Sequence, residues 1–225
     1  MTIRLFCSDY QLDILDDEVA TLEVLNRDCF RRIINELKGT GTQEIREINL
    51  FNDNSFIDTK DMTIIFDPYE VDVNDKTYLS RLYKEIEKHF KQSDDNIFSL
   101  NELSAYINLH FHNLIFGYPL ELTMKDELAL KDYLKFLDVK VAEEDQSLLD
   151  RIIQFINVNG VIKFTKVIVF VNLKSMLTQV DIDSVIQSAI RTRCPLLLLE
   201  NVSDNRVFPS ERKLIVDEEL FTVVK

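Results

Sequence analysis

Glycine and proline are scarce in this chain, four of each in 225 residues, which excludes long flexible linkers. No Gly/Ser or Gln/Asn tract and no repeat period is present, so neither a low-complexity tail nor a solenoid is expected. Apolar runs end after about five residues, far short of the ~20 that a membrane-spanning helix needs. The opening residues Met1-Thr2-Ile3-Arg4-Leu5-Phe6 lack the basic region and apolar core of a secretory signal. A soluble, cytoplasmic protein is the expectation. The three cysteines, Cys7, Cys29 and Cys194, are odd in number and far apart. They match no zinc-site spacing and fit reduced, buried thiols.

Apolar residues at 46% suffice for a sizeable core, and the net charge is −13. Taken alone, that charge argues against nucleic acid as a partner. A DNA-binding reading therefore requires that the few cations be gathered on one face.

The chain reads as strand-rich, then helical, then strand-rich again. Strands are expected at residues 19–25, 45–51 and 62–66, with a helix from Asn26 to Lys38 ended by Gly39 and Gly41. From about residue 75 the apolar period becomes helical. Leu79, Leu82, Tyr83, Ile86 and Phe90 form a stripe, residues 93–96 read as a loop, and helices follow at about 100–116, 125–137 and 147–158. Strands return at 166–171, at the continuous run Leu196–Leu199 and at two short C-terminal segments, 213–216 and 220–224. A helix at 181–192 lies among them, with Thr178 as its cap. The expected fold is α/β: a discontinuous core of residues 1–74 and 160–225 around a mainly parallel sheet, with a helical insertion at 75–159.

Catalytic motifs are missing. The turn after the first main strand, Asn26-Arg27-Asp28-Cys29, has no glycine and places an acid where a phosphate would sit, so a nucleotide cradle is not expected. Asp67 reads as the cap of a turn with Pro68. His110 and His112, two residues apart on a helix, point away from each other and make a poor metal pair. No nucleophile motif is present. Residues 121–145 concentrate acids, including Glu121, Asp126, Glu127, Asp132, Asp138, Glu143, Glu144 and Asp145, without an EF-hand pattern. The same stretch carries Lys125, Lys131, Lys135 and Lys140, with Lys131 and Lys135 at i, i+4. A solvated charged surface, a metal-dependent nuclease built on the acids, a protein-interaction scaffold without nucleic acid and a row of lysines facing DNA all stay open at this point.

Four segments carry a resemblance. They are Ala20–Ile34 (ATLEVLNRDCFRRII), Asp67–Asp75 (DPYEVDVND), Tyr133–Val141 (YLKFLDVKV) and a C-terminal block. The block comprises Val167–Asn172 (VIVFVN), Met176-Leu177-Thr178, Leu196–Glu200 (LLLLE) and Asp217–Phe221 (DEELF). In this order and spacing the chain resembles the short form of the Csn family, the type II-A CRISPR adaptation subunit. Asp138 stands where the family's turn has glycine. The resemblance implies a P-loop-ATPase-like core without a nucleotide site, and a non-catalytic homotetrameric ring. Such a ring is stabilised by calcium and grips double-stranded DNA ends in a cationic hole. It implies the adaptation integrase subunits and the type II-A effector nuclease as partners. The candidate calcium ligands are Glu121, Asp126, Glu127, Glu144 and Asp145. The candidate DNA contacts are Lys131, Lys135, Lys140 and Lys60, with Arg31 and Arg32 in reserve.

Overall fold

The computed structural model describes residues 1–5, 10–15, 17–39, 47–52, 55–125, 128–143 and 147–225. Two short strands, β1 (Thr2–Leu5) and β2 (Tyr10–Asp13), precede β3 (Val19–Val24) and α1 (Arg27–Leu37). Then come β4 (Ile48–Asn52), β5 (Ser55–Ile57) and β6 (Met62–Ile65), followed by the helices α2 (Lys76–Phe90), α3 (Asp94–Phe116) and α4 (Leu130–Phe136). The chain continues with α5 (Leu148–Ile162), β7 (Val167–Val171), α6 (Gln179–Arg191) and β8 (Leu196–Glu200), and ends in β9 (Glu211–Val216) and β10 (Thr222–Val224).

The fold is α/β with a six-stranded mixed sheet, ordered β10-β9-β3-β8-β7-β6, in which every pairing is parallel except that of β10 with β9. Its central strands are buried on both faces, which is why β7 (VIVFV) and β8 (LLLLE) read as unbroken apolar runs. One face joins α1, through Cys29, Ile33 and Leu37, to a second, four-stranded antiparallel sheet ordered β2-β1-β4-β5. In that sheet Ile3 pairs with Leu12 and Leu50, and Leu50 with Ile57, all four pointing into the shared core. The sequence reading missed β1, β2 and β5.

The opposite face receives α5 and α6 through Ile152, Phe155 and Ile156 and through Ile182, Val185 and Ile186. Phe155 meets Phe170 of β7 edge to face at 6.4 Å. The chain divides into two units, Met1–Asp72 with Glu144–Lys225, and Val73–Glu143. The division differs from the expected boundary at residue 159 because the apolar face of α5 is part of the sheet's core. The helix also runs through Gly160 rather than stopping there.

Gly160 has a packing reason. A Cβ at this position would stand 2.6 Å from Thr192 Cβ and 3.0 Å from the Thr192 carbonyl oxygen, at the end of α6. Alanine usually favours a helix over glycine by about 1 kcal/mol, but here the clash with backbone outweighs that gain. Gly160→Ala is expected to lower the unfolding free energy by about 1–3 kcal/mol, read from the midpoint of urea denaturation.

Cys29 and Cys194 are buried and form no disulfide among the described residues, as expected; Cys7 lies outside the described residues. Burial pushes the Cys194 thiol up to about 12. Among the described residues no helix is long and apolar enough to cross a membrane.

Candidate functional site

Within the unit Val73–Glu143, α2 begins where Asp75 accepts hydrogen bonds from the backbone N–H groups of Thr77 (2.6 Å) and Tyr78 (2.9 Å). Tyr78 and Tyr83 are buried along one side. The other side carries Lys76, Ser80 and Lys84 at intervals of one turn. Helix α4 buries Tyr133 and turns Lys131 and Lys135 outward.

Two clasps hold α2 to the chain that follows α4. The Tyr83 hydroxyl donates to the Val139 carbonyl at 2.7 Å. Asn74 accepts from the Val141 N–H (2.9 Å) and donates to the Val141 carbonyl (3.0 Å) and to Glu143 Oε1 (2.8 Å). Asp138, in the turn leaving α4, adopts φ 49°. That is the left-handed region where glycine costs least, so the position asks for the residue the family pattern has there. Aspartate fills it and holds Lys140 at 3.0 Å.

The result is a groove of about 580 Å³ between α2 and α4, floored by Leu79 and Tyr83 and rimmed by Lys76, Lys84, Lys131 and Lys135. All four lysines are exposed, and none has an ion-pair partner among the described residues. The two acids on the rim are engaged elsewhere: Glu87 with Lys91 at 2.9 Å, and Asp138 with Lys140. Four cations unmatched among the described residues therefore rim a single groove in a chain of net charge −13. Such an arrangement has the charge to suit a polyanionic ligand.

The sequence-derived candidates separate at this point. Lys131 and Lys135 come together in the groove. Lys140 does not line it; its charge is held by Asp138, whose hydrogen bond and proximity raise the Lys140 pKa above the usual lysine value. Lys60 sits exposed on a short 3-10 turn (Thr59–Asp61) of the other unit. Arg31 pairs with Asp28 and Arg32 with Glu47. Lys76 and Lys84 were missed, although their spacing on α2 was readable. Of the proposed metal ligands, Asp126, Glu127, Glu144 and Asp145 lie outside the described residues, and Glu121 is exposed in an irregular segment. Among the described residues no three His, Cys, Asp or Glu side chains gather as a metal site.

Helix α3 exposes Phe98, Tyr106, Leu109, Leu114 and Phe116, each more than half accessible, and only Ser104 along it is buried. Residues 103–116 contain no Asp, Glu, Lys or Arg.

Comparison with individually curated proteins gives no match. A family model described as CRISPR-associated protein (Cas_Csn2) matches residues 43–220. That match spans the β4–β5 hairpin, the lysine groove, the apolar helix and most of the main sheet, and on it the chain belongs to the CRISPR-associated Csn2 family, whose role is in type II-A adaptation.

Proposed function

We propose that this protein is a non-catalytic ring subunit that holds the ends of double-stranded DNA during spacer acquisition. The observation that carries the reading is the set of four unpaired lysines around the α2/α4 groove. Cations arranged this way engage phosphates without regard to base sequence. They also answer the objection raised by the net charge, because the positive face is local.

A homotetramer is supported by α3. A helix apolar on most sides is stable when buried, and its uncharged stretch 103–116 can pair with the same stretch of another copy without like-charge repulsion. Calcium is the proposed ion, with Glu121, Asp126, Glu127, Glu144 and Asp145 as candidate oxygen ligands. A core similar to that of P-loop ATPases, without nucleotide binding, is supported by five parallel strands and by the turn after β3. There Asn26 caps α1 by accepting from the Cys29 N–H, and Asp28 adds negative charge where a phosphate would need positive. The adaptation integrase subunits and the effector nuclease are the proposed protein partners, in the cytoplasm.

The test is a mobility shift with one duplex in linear and closed circular form, with calcium or with a chelator. Linear DNA is expected to bind in calcium, and the circle and the chelated sample to bind far less. Equal retention of linear and circular DNA overturns the end-gripping ring, and metal-dependent cleavage overturns the non-catalytic assignment.

A further inference from the structure

Away from the groove, the face of the main sheet not lined by α1 carries a buried network of charge. Thr21 and Glu23 of β3, Glu200 of β8 and Glu211 and Lys213 of β9 meet Lys174, from a 3-10 turn at Leu173–Ser175, and Asp204 and Arg206, from the segment 201–210. Glu23 is fully buried, and Glu200, Lys174 and Lys213 are nearly so.

Six of the seven charged groups form pairs. Lys213 Nζ lies 2.8 Å from Glu23 Oε1, Lys174 Nζ bonds Glu211, which also accepts from the Thr21 hydroxyl, and Arg206 Nε meets Asp204 Oδ2 at 2.9 Å. The remaining group is Glu200. Among the described residues it has no cation of its own and accepts a single backbone hydrogen bond, from the Lys174 N–H at 3.0 Å. Glu200 and Glu23 are register partners on adjacent strands, so two buried carboxyl groups lie side by side. Among the described residues neither Glu23 oxygen has a hydrogen-bond partner, because Lys213 approaches off the bonding direction. A proton on Glu200 would remove the unmatched charge and offer a donor beside those oxygens.

The same network fastens the 201–210 segment to the sheet. Arg206 donates to the carbonyls of Leu177 (2.8 Å) and Lys174 (2.6 Å), and Lys213 donates to the carbonyls of Asp204 (2.5 Å) and Arg206 (3.3 Å). Phe208 anchors the segment beneath the Lys174 ammonium, 5.3 Å from its ring.

We propose that Glu200 is a proton-operated latch: neutral, it lets the 201–210 segment dock over the sheet, and ionised, it places an uncompensated charge among three matched pairs and loosens that segment. The groups facing it are Glu23 from β3, Lys174 from the turn after β7 and Asp204 from the segment itself, with Arg206, Glu211 and Lys213 in the next rank; β7 places the uncharged Ile168 and Phe170 on this face. Burial is the main cause that pushes the Glu200 carboxyl up from 4.5 to about 7; the Lys174 N–H and charge oppose it, and Asp204 and Glu23 reinforce it. The sign follows. Below about 4.5 the docked and released forms both hold the proton. Between there and about 7 only the docked form keeps it, so docking weakens as pH rises, and above about 7 this group adds no further change.

Hydrogen exchange of the 201–210 amides in the full chain, corrected for the intrinsic rate, tests this at pH near 5.5 and near 8. Protection in the unmodified protein is expected to fall more than about tenfold between the two, and Glu200→Gln, which mimics the protonated carboxyl, is expected to hold high protection at both. Glu200→Met serves as a second neutral replacement should the glutamine variant misfold. A pH-independent wild type, or a neutral variant with the same pH dependence as wild type, overturns the latch.

Discussion

Alanine at Lys76, Lys84, Lys131 and Lys135 together is expected to lower affinity for linear duplex DNA by about 100-fold or more at moderate salt, with little change in fold. Each phosphate contact contributes about 0.9 to the slope of log affinity against log salt, so losing four per subunit should flatten that slope by roughly 3–4 for each groove engaged. All four side chains are exposed and unpaired among the described residues. Their removal therefore takes away no buried contact, and far-UV circular dichroism and unfolding midpoint serve as controls. Lys140→Ala and Lys60→Ala are expected to do much less, the first because Asp138 already neutralises Lys140. A titration across several salt concentrations measures both quantities. An unchanged slope in the quadruple variant would remove the groove from the interface.

The second large effect is on stability. Lys174→Met is expected to destabilise the protein by about 3–5 kcal/mol, because it strands the Glu211 carboxylate, which is almost completely excluded from water. It also removes a second cation beside Asp204, 3.7 Å away, where Arg206 already stands at 2.9 Å. The Asp204 carboxyl is pushed up by burial, but Arg206 hydrogen bonds and nearby positive charge outweigh this and hold it below its ordinary value. The contrast is Lys91→Met, which breaks an exposed pair with Glu87 on α2 and should cost less than about 0.5 kcal/mol. Adding Glu211→Gln to Lys174→Met should recover part of the loss, because the stranded charge disappears with it. Chemical denaturation of the three variants gives the comparison directly.

How much of this could be read from the residue string depends on the element. Strands β7 and β8 were legible because burial on both faces leaves no polar position to interrupt them. Helix α6 was legible from Thr178, which caps it reciprocally with Asp181. Strands β1, β2 and β5 were not. Each is three or four residues long, and in the first two Thr2, Arg4, Gln11 and Asp13 alternate outward, a signal too short to separate from a turn. The reading at 93–96 failed for a related reason. Ser, Asp and Asn are turn formers, yet they also suit the first turn of a helix, and α3 begins at Asp94. At the groove, Lys131 and Lys135 were visible through their spacing. Lys76 and Lys84 were passed over because α2 was read by its apolar stripe alone. Nothing local announces that α2 and α4 face each other; that is decided by Asn74 and Tyr83, whose partners lie far along the chain.

The Asn74 clasp has an effect beyond positioning lysines. It ties the first residues of the 73–143 excursion to its last ones, so the chain departs and comes back at nearly one point. An excursion closed at its base can be lengthened or shortened with small entropic penalty, since each doubling of a closed loop costs only about 0.6 kcal/mol. Helices could thus be added to or trimmed from this unit over evolutionary time while the registers of the main sheet stayed as they are.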